Sequence, residues 1–160
     1  MPHRSEDPRE QFEAVERLLT AWLKERRALL TRYTALVVAM DGDPTPDSLH
    51  QRQLDLCGLL VDYVSAGHFE IFHQLVDEAE RFDDGGCALA AELIPAISDT
   101  TEVILAYEEK YTGEEPADAT LGRDVSALGE MLEVRFELED RLIAGLHNRH
   151  RRQMAPARSA

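Results

Sequence analysis

Glu70 and His73 stand three residues apart, the Glu-x-x-His spacing with which helical bundles present a carboxylate and an imidazole to a metal. A ferritin-like centre needs such pairs on facing helices, and the spacing occurs here once. Projection at helical pitch turns both residues to solvent, so neither a metal nor a cofactor is expected. His147 and His150 lie in a basic run, His147-Asn148-Arg149-His150-Arg151-Arg152. That run reads as cations complementing the C-terminal end of a helix, where any bound metal would be adventitious. There is no Gly-rich phosphate loop, nucleophile elbow or Cys-x-x-Cys pair, and Glu108-Glu109 and Glu114-Glu115 read as solvated faces. Catalysis is not expected.

More informative are polar residues that fall inside apolar helical sectors. Arg135 and Glu139, four residues apart, share a sector with Leu128, Met131, Leu142 and Leu146. Arg26 falls between Trp22, Leu30 and Tyr33, and His68 between Val61, Val64, Phe72 and Leu75. Charges in such places are costly unless paired, which predicts an inner polar network of Trp22, Arg26, His68, Arg135 and Glu139. The network either fixes helix register or opens to one side as an acceptor groove for a basic side chain. With Tyr63, Gly67 and Ile71 turned to the bundle, Asp62, Ser65, Phe69 and Val76 are left together at the opposite edge of the helix. An aromatic beside a carboxylate and a hydroxyl suits a protein interface. Gly67, inside the core sector, suggests close approach of another backbone or a bulky side chain.

Four helices must position these groups. The first spans about Asp7 to Met40 and ends at Asp41-Gly42-Asp43-Pro44. The second starts at Asp47 or Ser48 and runs to about Phe82, where Asp83-Asp84-Gly85-Gly86 breaks it. The third carries Leu93, Ile97, Ile104, Tyr107 and Tyr111, and its Pro95 either sits in a first turn or kinks a helix begun near Cys87. A loop from Thr112 to Ala119 leads to the fourth, which holds Leu121 to Leu146 and frays into Ala155-Pro156-Ala157-Arg158. No stretch alternates with period two. The expected fold is all-α, an antiparallel up-down-up-down four-helix bundle forming one domain over 1–160, with flexible ends at 1–7 and 153–160.

At 160 residues such a domain buries enough surface to need no staple, and Cys57 and Cys87 are expected as free thiols. Met1 to Glu10 lacks an apolar signal core and no stretch approaches a membrane span, so a cytoplasmic protein is expected. The net charge is −14. Between Asp62 and Asp140 stand 21 acidic residues against Arg81, Lys110, Arg123 and Arg135. A surface so anionic repels phosphate backbones and attracts basic partners, which argues against direct nucleic-acid binding.

The segment Leu59-Leu60-Val61-Asp62-Tyr63-Val64-Ser65-Ala66-Gly67-His68-Phe69-Glu70-Ile71-Phe72 closely resembles the signature helix of the Rsd/AlgQ family, bacterial regulators of the primary sigma factor of RNA polymerase. Trp22-Leu23-Lys24-Glu25-Arg26-Arg27-Ala28-Leu29-Leu30 and Arg135-Phe136-Glu137-Leu138-Glu139-Asp140-Arg141-Leu142-Ile143 extend the likeness, which covers roughly Phe12 to His150. The resemblance implies an anti-sigma factor that sequesters the primary sigma factor, chiefly through its C-terminal domain that reads the −35 element, in slow growth. It implies Asp62, Ser65 and Phe69 as partner contacts, joined by Phe72 and Glu139, in a monomer or weak homo-oligomer. Two rivals remain at this point: a haemerythrin-like metal-binding bundle, and an acidic adaptor for another basic cytoplasmic protein.

Overall fold

The computed structural model describes residues 7–113 and 119–154, all of them helix, turn or short connection. Most of the expected Thr112–Ala119 loop, the Glu114-Glu115 pair and most of both expected flexible ends lie outside these residues. Asp7, by contrast, caps a helix, and Gln153 and Met154 are helical.

Helix α1 spans Pro8–Asp41. The Asp7 carboxylate accepts from the Arg9 backbone N–H at 2.9 Å, and Pro8 follows it where a missing N–H costs nothing. Helix α2, Pro46–Ala66, begins the same way, with the Thr45 hydroxyl accepting from Ser48 N–H at 3.1 Å ahead of Pro46. A single π-helical turn, Gly67–Ile71, carries the chain into α3, Phe72–Phe82. Asp83 then takes a left-handed conformation with φ 46° and Gly85 one with φ 90°, which reverses the chain into α4, Gly86–Tyr111. Pro95 therefore sits inside a helix begun at Gly86. Helix α5, Leu121–Ile143, passes through a second π turn, Ala144–Asn148, into α6, Arg149–Met154. The chain is thus helical as far as Met154, and the expected fraying into Ala155-Pro156-Ala157-Arg158 lies outside the described residues.

Four rods result: α1, α2 with α3, α4, and α5 with α6. No strand occurs among the described residues. Leu29, Leu36, Leu56, Leu60, Leu75, Ile97, Ile104, Leu142 and Leu146 are completely buried in one continuous core. Each such side chain contributes roughly 1.5–3 kcal/mol by leaving water. Contacts between the first and last rods run in opposite chain order: Tyr33 bonds Val125, Arg26 bonds Asp140, and Arg9 bonds Met154. Cys57 is buried in α2 and Cys87 exposed at the start of α4, both as free thiols. No helix among the described residues is long and apolar enough to cross a membrane.

Candidate functional site

Arg26 of α1, Tyr63 of α2, Thr100 and Thr101 of α4, and Arg135 and Glu139 of α5 meet in the middle of the bundle. Arg135 and Glu139 are both wholly buried, and the Arg135 Nε–H donates to Glu139 Oε2 at 3.0 Å. Nη1 of Arg135 donates to Thr101 Oγ1 at 2.7 Å, Thr100 Oγ1 at 3.0 Å and the Ile97 carbonyl at 3.3 Å, which ties α5 to α4. The other Glu139 oxygen accepts from the Tyr63 hydroxyl at 2.5 Å and from Arg26 Nη2 at 3.1 Å. Arg26 Nε donates to the Tyr63 oxygen at 3.1 Å, and Nη1 reaches the exposed Asp140 carboxylate at 2.6 Å. Trp22 completes the set. Its ring stacks on Tyr63 with centroids 4.6 Å apart, and its indole N–H donates to the Tyr63 carbonyl at 3.1 Å.

Burial raises the Glu139 carboxyl above the ordinary carboxylate range, opposed by Arg135, Tyr63 and Arg26. Burial also pushes the Tyr63 phenol upward, and the Glu139 charge adds to that push, so Tyr63 stays a neutral donor. For Arg26, burial alone would lower the basicity, but Tyr63, Asp140 and Glu139 outweigh it and hold the guanidinium charged. The Arg26 guanidinium also lies over the Phe136 ring, 4.7 Å from its centroid. The Glu139 carboxylate is thus occupied on both oxygens by groups of its own bundle, while Arg135 Nη2 stays buried without a hydrogen-bond partner.

His68 does not join it. The π turn puts the bond from Phe72 N–H on the Gly67 carbonyl, five residues back instead of four. A wider turn holds an extra residue, so projection at α-helical pitch fails beyond Ala66 and His68 swings outward to an exposed position. There its ring meets Phe69 edge-on at 5.0 Å and, with Phe72, His73, Val76 and Ile94, borders a shallow recess of about 190 Å³. Gly67 itself remains inward, and a Cβ on it would stand 2.9 Å from Trp22 Cζ2, so the indole packs against bare backbone.

The outward edge of this rod carries Asp62, exposed, Ser65, half-buried, and Phe69, with 74% of its surface exposed. Phe72 does not share that edge. It is buried and packs edge-on against Trp22 with centroids 5.8 Å apart, in the apolar sector it shares with Val64 and Leu75, and so is not placed as a surface contact. Glu139, likewise expected as a contact, is wholly buried and reaches solvent only through Arg26 and Asp140. Glu70 and His73 are both exposed, as projected. Among the described residues no group of three or more His, Cys, Asp or Glu is placed to hold a metal. A separate groove of about 630 Å³ opens between α1 and α5, floored by Leu30, Tyr33, Leu132 and Phe136 and rimmed by Glu133, Glu137 and Asp140.

A second polar cluster lies at the bundle end where α6 docks, and sequence reasoning missed it. Glu78 of α3 is wholly buried. His147 Nδ1 stands 3.0 Å from both Glu78 oxygens, and His150 Nδ1 2.5 Å from one of them. His147 stacks on Phe12 and His150 on Phe82, with centroids 4.2 and 4.1 Å apart. A basic run expected to complement the C-terminal end of a helix thus has its two histidines inside. Spacing held the signal: His147 and His150 continue the stripe of Ile143 and Leu146, and Glu78 continues that of Ile71 and Leu75.

Residues 1–147 match the family described as regulator of RNA polymerase sigma(70) subunit, Rsd/AlgQ. Proteins named regulator of sigma D are similar in sequence. Those of Yersinia pseudotuberculosis serotype O:1b are 32% identical over 147 residues, covering 89% of this chain and 87% of the relative. The protein of Escherichia coli O139:H28 is 33% identical over 143 residues, covering 84% and 86%. No solved structure gives a significant match. With nearly the whole chain matched, and with the Tyr63 to Phe72 segment, Arg26 and the Arg135–Glu139 pair forming one connected structure, the protein belongs to the Rsd/AlgQ family of sigma(70) regulators.

Proposed function

We propose that this protein is a cytoplasmic anti-sigma factor that binds the primary sigma factor of RNA polymerase, chiefly its C-terminal −35-reading domain, and so withholds it when growth slows. The observation that carries the reading is Phe69, 74% exposed beside Asp62 on the helix segment most like the family's signature. An aromatic held out in water by a rigid helix has a large area to bury and little entropy to lose on binding. Phe69 fills an apolar pocket of the partner, Asp62 accepts from an arginine, and Ser65 supplies a hydrogen bond. A basic domain shaped to contact DNA phosphates complements a chain of net charge −14. The rods lie in up-down-up-down order, and the Arg26–Tyr63–Glu139–Arg135 network keeps α2 in register behind the contact face. The protein acts by occupancy and no residue is assigned a catalytic role.

Calorimetric titration with the isolated C-terminal domain of the host's primary sigma factor tests this. Saturable one-to-one binding that weakens from low to moderate salt is expected. Absence of heat, together with no competition against promoter DNA, overturns the reading in favour of an adaptor for another basic protein.

A further inference from the structure

We propose that Glu78, His147 and His150 form a proton-dependent latch that docks the C-terminal turn, Ala144 to Met154, onto the end of the bundle. The argument begins with valence. A neutral imidazole carries one N–H, yet His147 has carboxylate oxygens at both ring nitrogens: Glu78 at Nδ1, 3.0 Å away, and Glu16 at Nε2. Both contacts are hydrogen bonds only when the ring is an imidazolium. Loss of its proton turns one of them into a confrontation of lone pairs in a site from which water is excluded, since His147 is 1% exposed and Glu78 wholly buried.

The groups facing His147 come from every element around it. Glu16 and the Phe12 ring belong to α1, and Glu78 to α3. Asp84, in the turn before α4, lies 3.1 Å from His150 Nε2, close enough for an ion pair but not directed as a hydrogen bond. Helix α4 meets this π turn with apolar groups, Leu89 against Gly145 and Gly86 against Leu146. From α6, Arg151 donates to both Glu16 oxygens at 2.8 and 2.9 Å, and Arg149 approaches Asp84 at 3.6 Å. Three carboxylates therefore surround two imidazoles, with the two arginines outermost.

Burial alone would lower the basicity of His147, but hydrogen bonds and charge from Glu78 and Glu16 raise it above the ordinary histidine value of 6.5. The docking stabilisation from this group is then fully present below about pH 6.5 and is lost as pH rises through the raised value. Glu16 and Asp84 are both held below their ordinary values, burial being outweighed by His147 and Arg151 for the first and by His150 for the second, so acid releases the latch only at lower pH. Between these limits the turn is docked, and above the upper one it is free to peel from α1 and α3.

The test is NMR titration of the labelled full-length protein with amide hydrogen exchange at each pH. The His147 ring should titrate above 6.5, and Glu16→Gln, which changes a partly exposed side chain outside the core, should lower that midpoint by at least half a pH unit. Exchange of amides 144–154 should accelerate at least tenfold more than that of the α4 core amides between pH 6 and pH 9. In His147→Gln the excess acceleration should vanish. A His147 midpoint at or below 6.5, or exchange of 144–154 tracking α4 throughout, would overturn the latch and leave the cluster a static brace.

Discussion

Tyr63 and Glu139, on different rods of the bundle, share a hydrogen bond of 2.5 Å, and Arg26 donates to both of their oxygen atoms. One carboxylate so placed answers two guanidiniums and a phenol at once. Removing it by Glu139→Ala leaves the buried Arg135 without its charge partner, and loss of one member of a buried pair costs about 3–5 kcal/mol. Urea unfolding should show that loss, while Glu139→Gln, which keeps an acceptor for Tyr63, should lose less. Equal midpoints for wild type and the alanine variant would exclude a structural role for the pair.

Phe69 and Phe72, three residues apart, should behave in opposite ways. Phe69→Ala removes an exposed ring and should leave the unfolding midpoint unchanged while weakening sigma-domain binding by about 2 kcal/mol, roughly thirtyfold. Phe72→Ala opens a cavity against Trp22 and should destabilise the fold by about 3–5 kcal/mol. Paired calorimetry and denaturation on both variants check this, and a Phe69→Ala protein with unchanged affinity would remove that ring from the interface.

The contrast also marks where reading the sequence succeeds. Arg26, Arg135 and Glu139 were legible because a charge inside an apolar stripe has few affordable explanations, and α-helical pitch holds without interruption along α1 and α5 as far as those residues. The start of α1 at Asp7 was legible from cap chemistry, whereas α2, expected to start at Asp47 or Ser48, is capped by Thr45 and begins at Pro46, because a proline tolerated in the first turn lets the cap move upstream. His68 was misplaced because it follows Ala66, where a π turn adds a residue that propensity does not announce, whereas Phe72 lies in the apolar sector where projection put it and was expected as a partner contact only through the resemblance. Glu78 was passed over as one acid among many, although its place beside Leu75 and Ala79 is a core position. His147 and His150 were masked by the arginines around them.

Asp124 offers a pH prediction independent of the latch. Hydrogen bonds from Lys110 at 2.7 Å and Tyr111 at 2.5 Å bring its carboxyl down to about 2. A depressed carboxyl contributes stability above its ordinary value of 3.8, and that contribution is lost as pH falls through about 2. Asp124→Asn should therefore be less stable than wild type at pH 5, and the gap in thermal midpoint should narrow steadily from pH 4 to pH 2. A gap independent of pH would mean that the side chain matters through packing and not through charge.

Gly67 and Gly58 belong to the same rod but should respond oppositely to alanine. At Gly58, exposed in the interior of α2, an added Cβ meets nothing within 4 Å, so Gly58→Ala should stabilise the protein by about 0.5–1 kcal/mol through reduced backbone freedom in the unfolded chain. At Gly67 the Cβ would press on Trp22 at 2.9 Å, and overpacking of this kind costs about 1–3 kcal/mol. The indole is also hydrogen-bonded to the Tyr63 carbonyl, so it cannot move aside without loosening the stacked pair behind the edge that carries Phe69. Gly67→Ala should consequently weaken sigma-domain binding as well as the fold, because the strain falls on the turn that presents Phe69. A variant that is destabilised yet binds with wild-type affinity would separate the two roles and show that Phe69 is positioned by α2 alone.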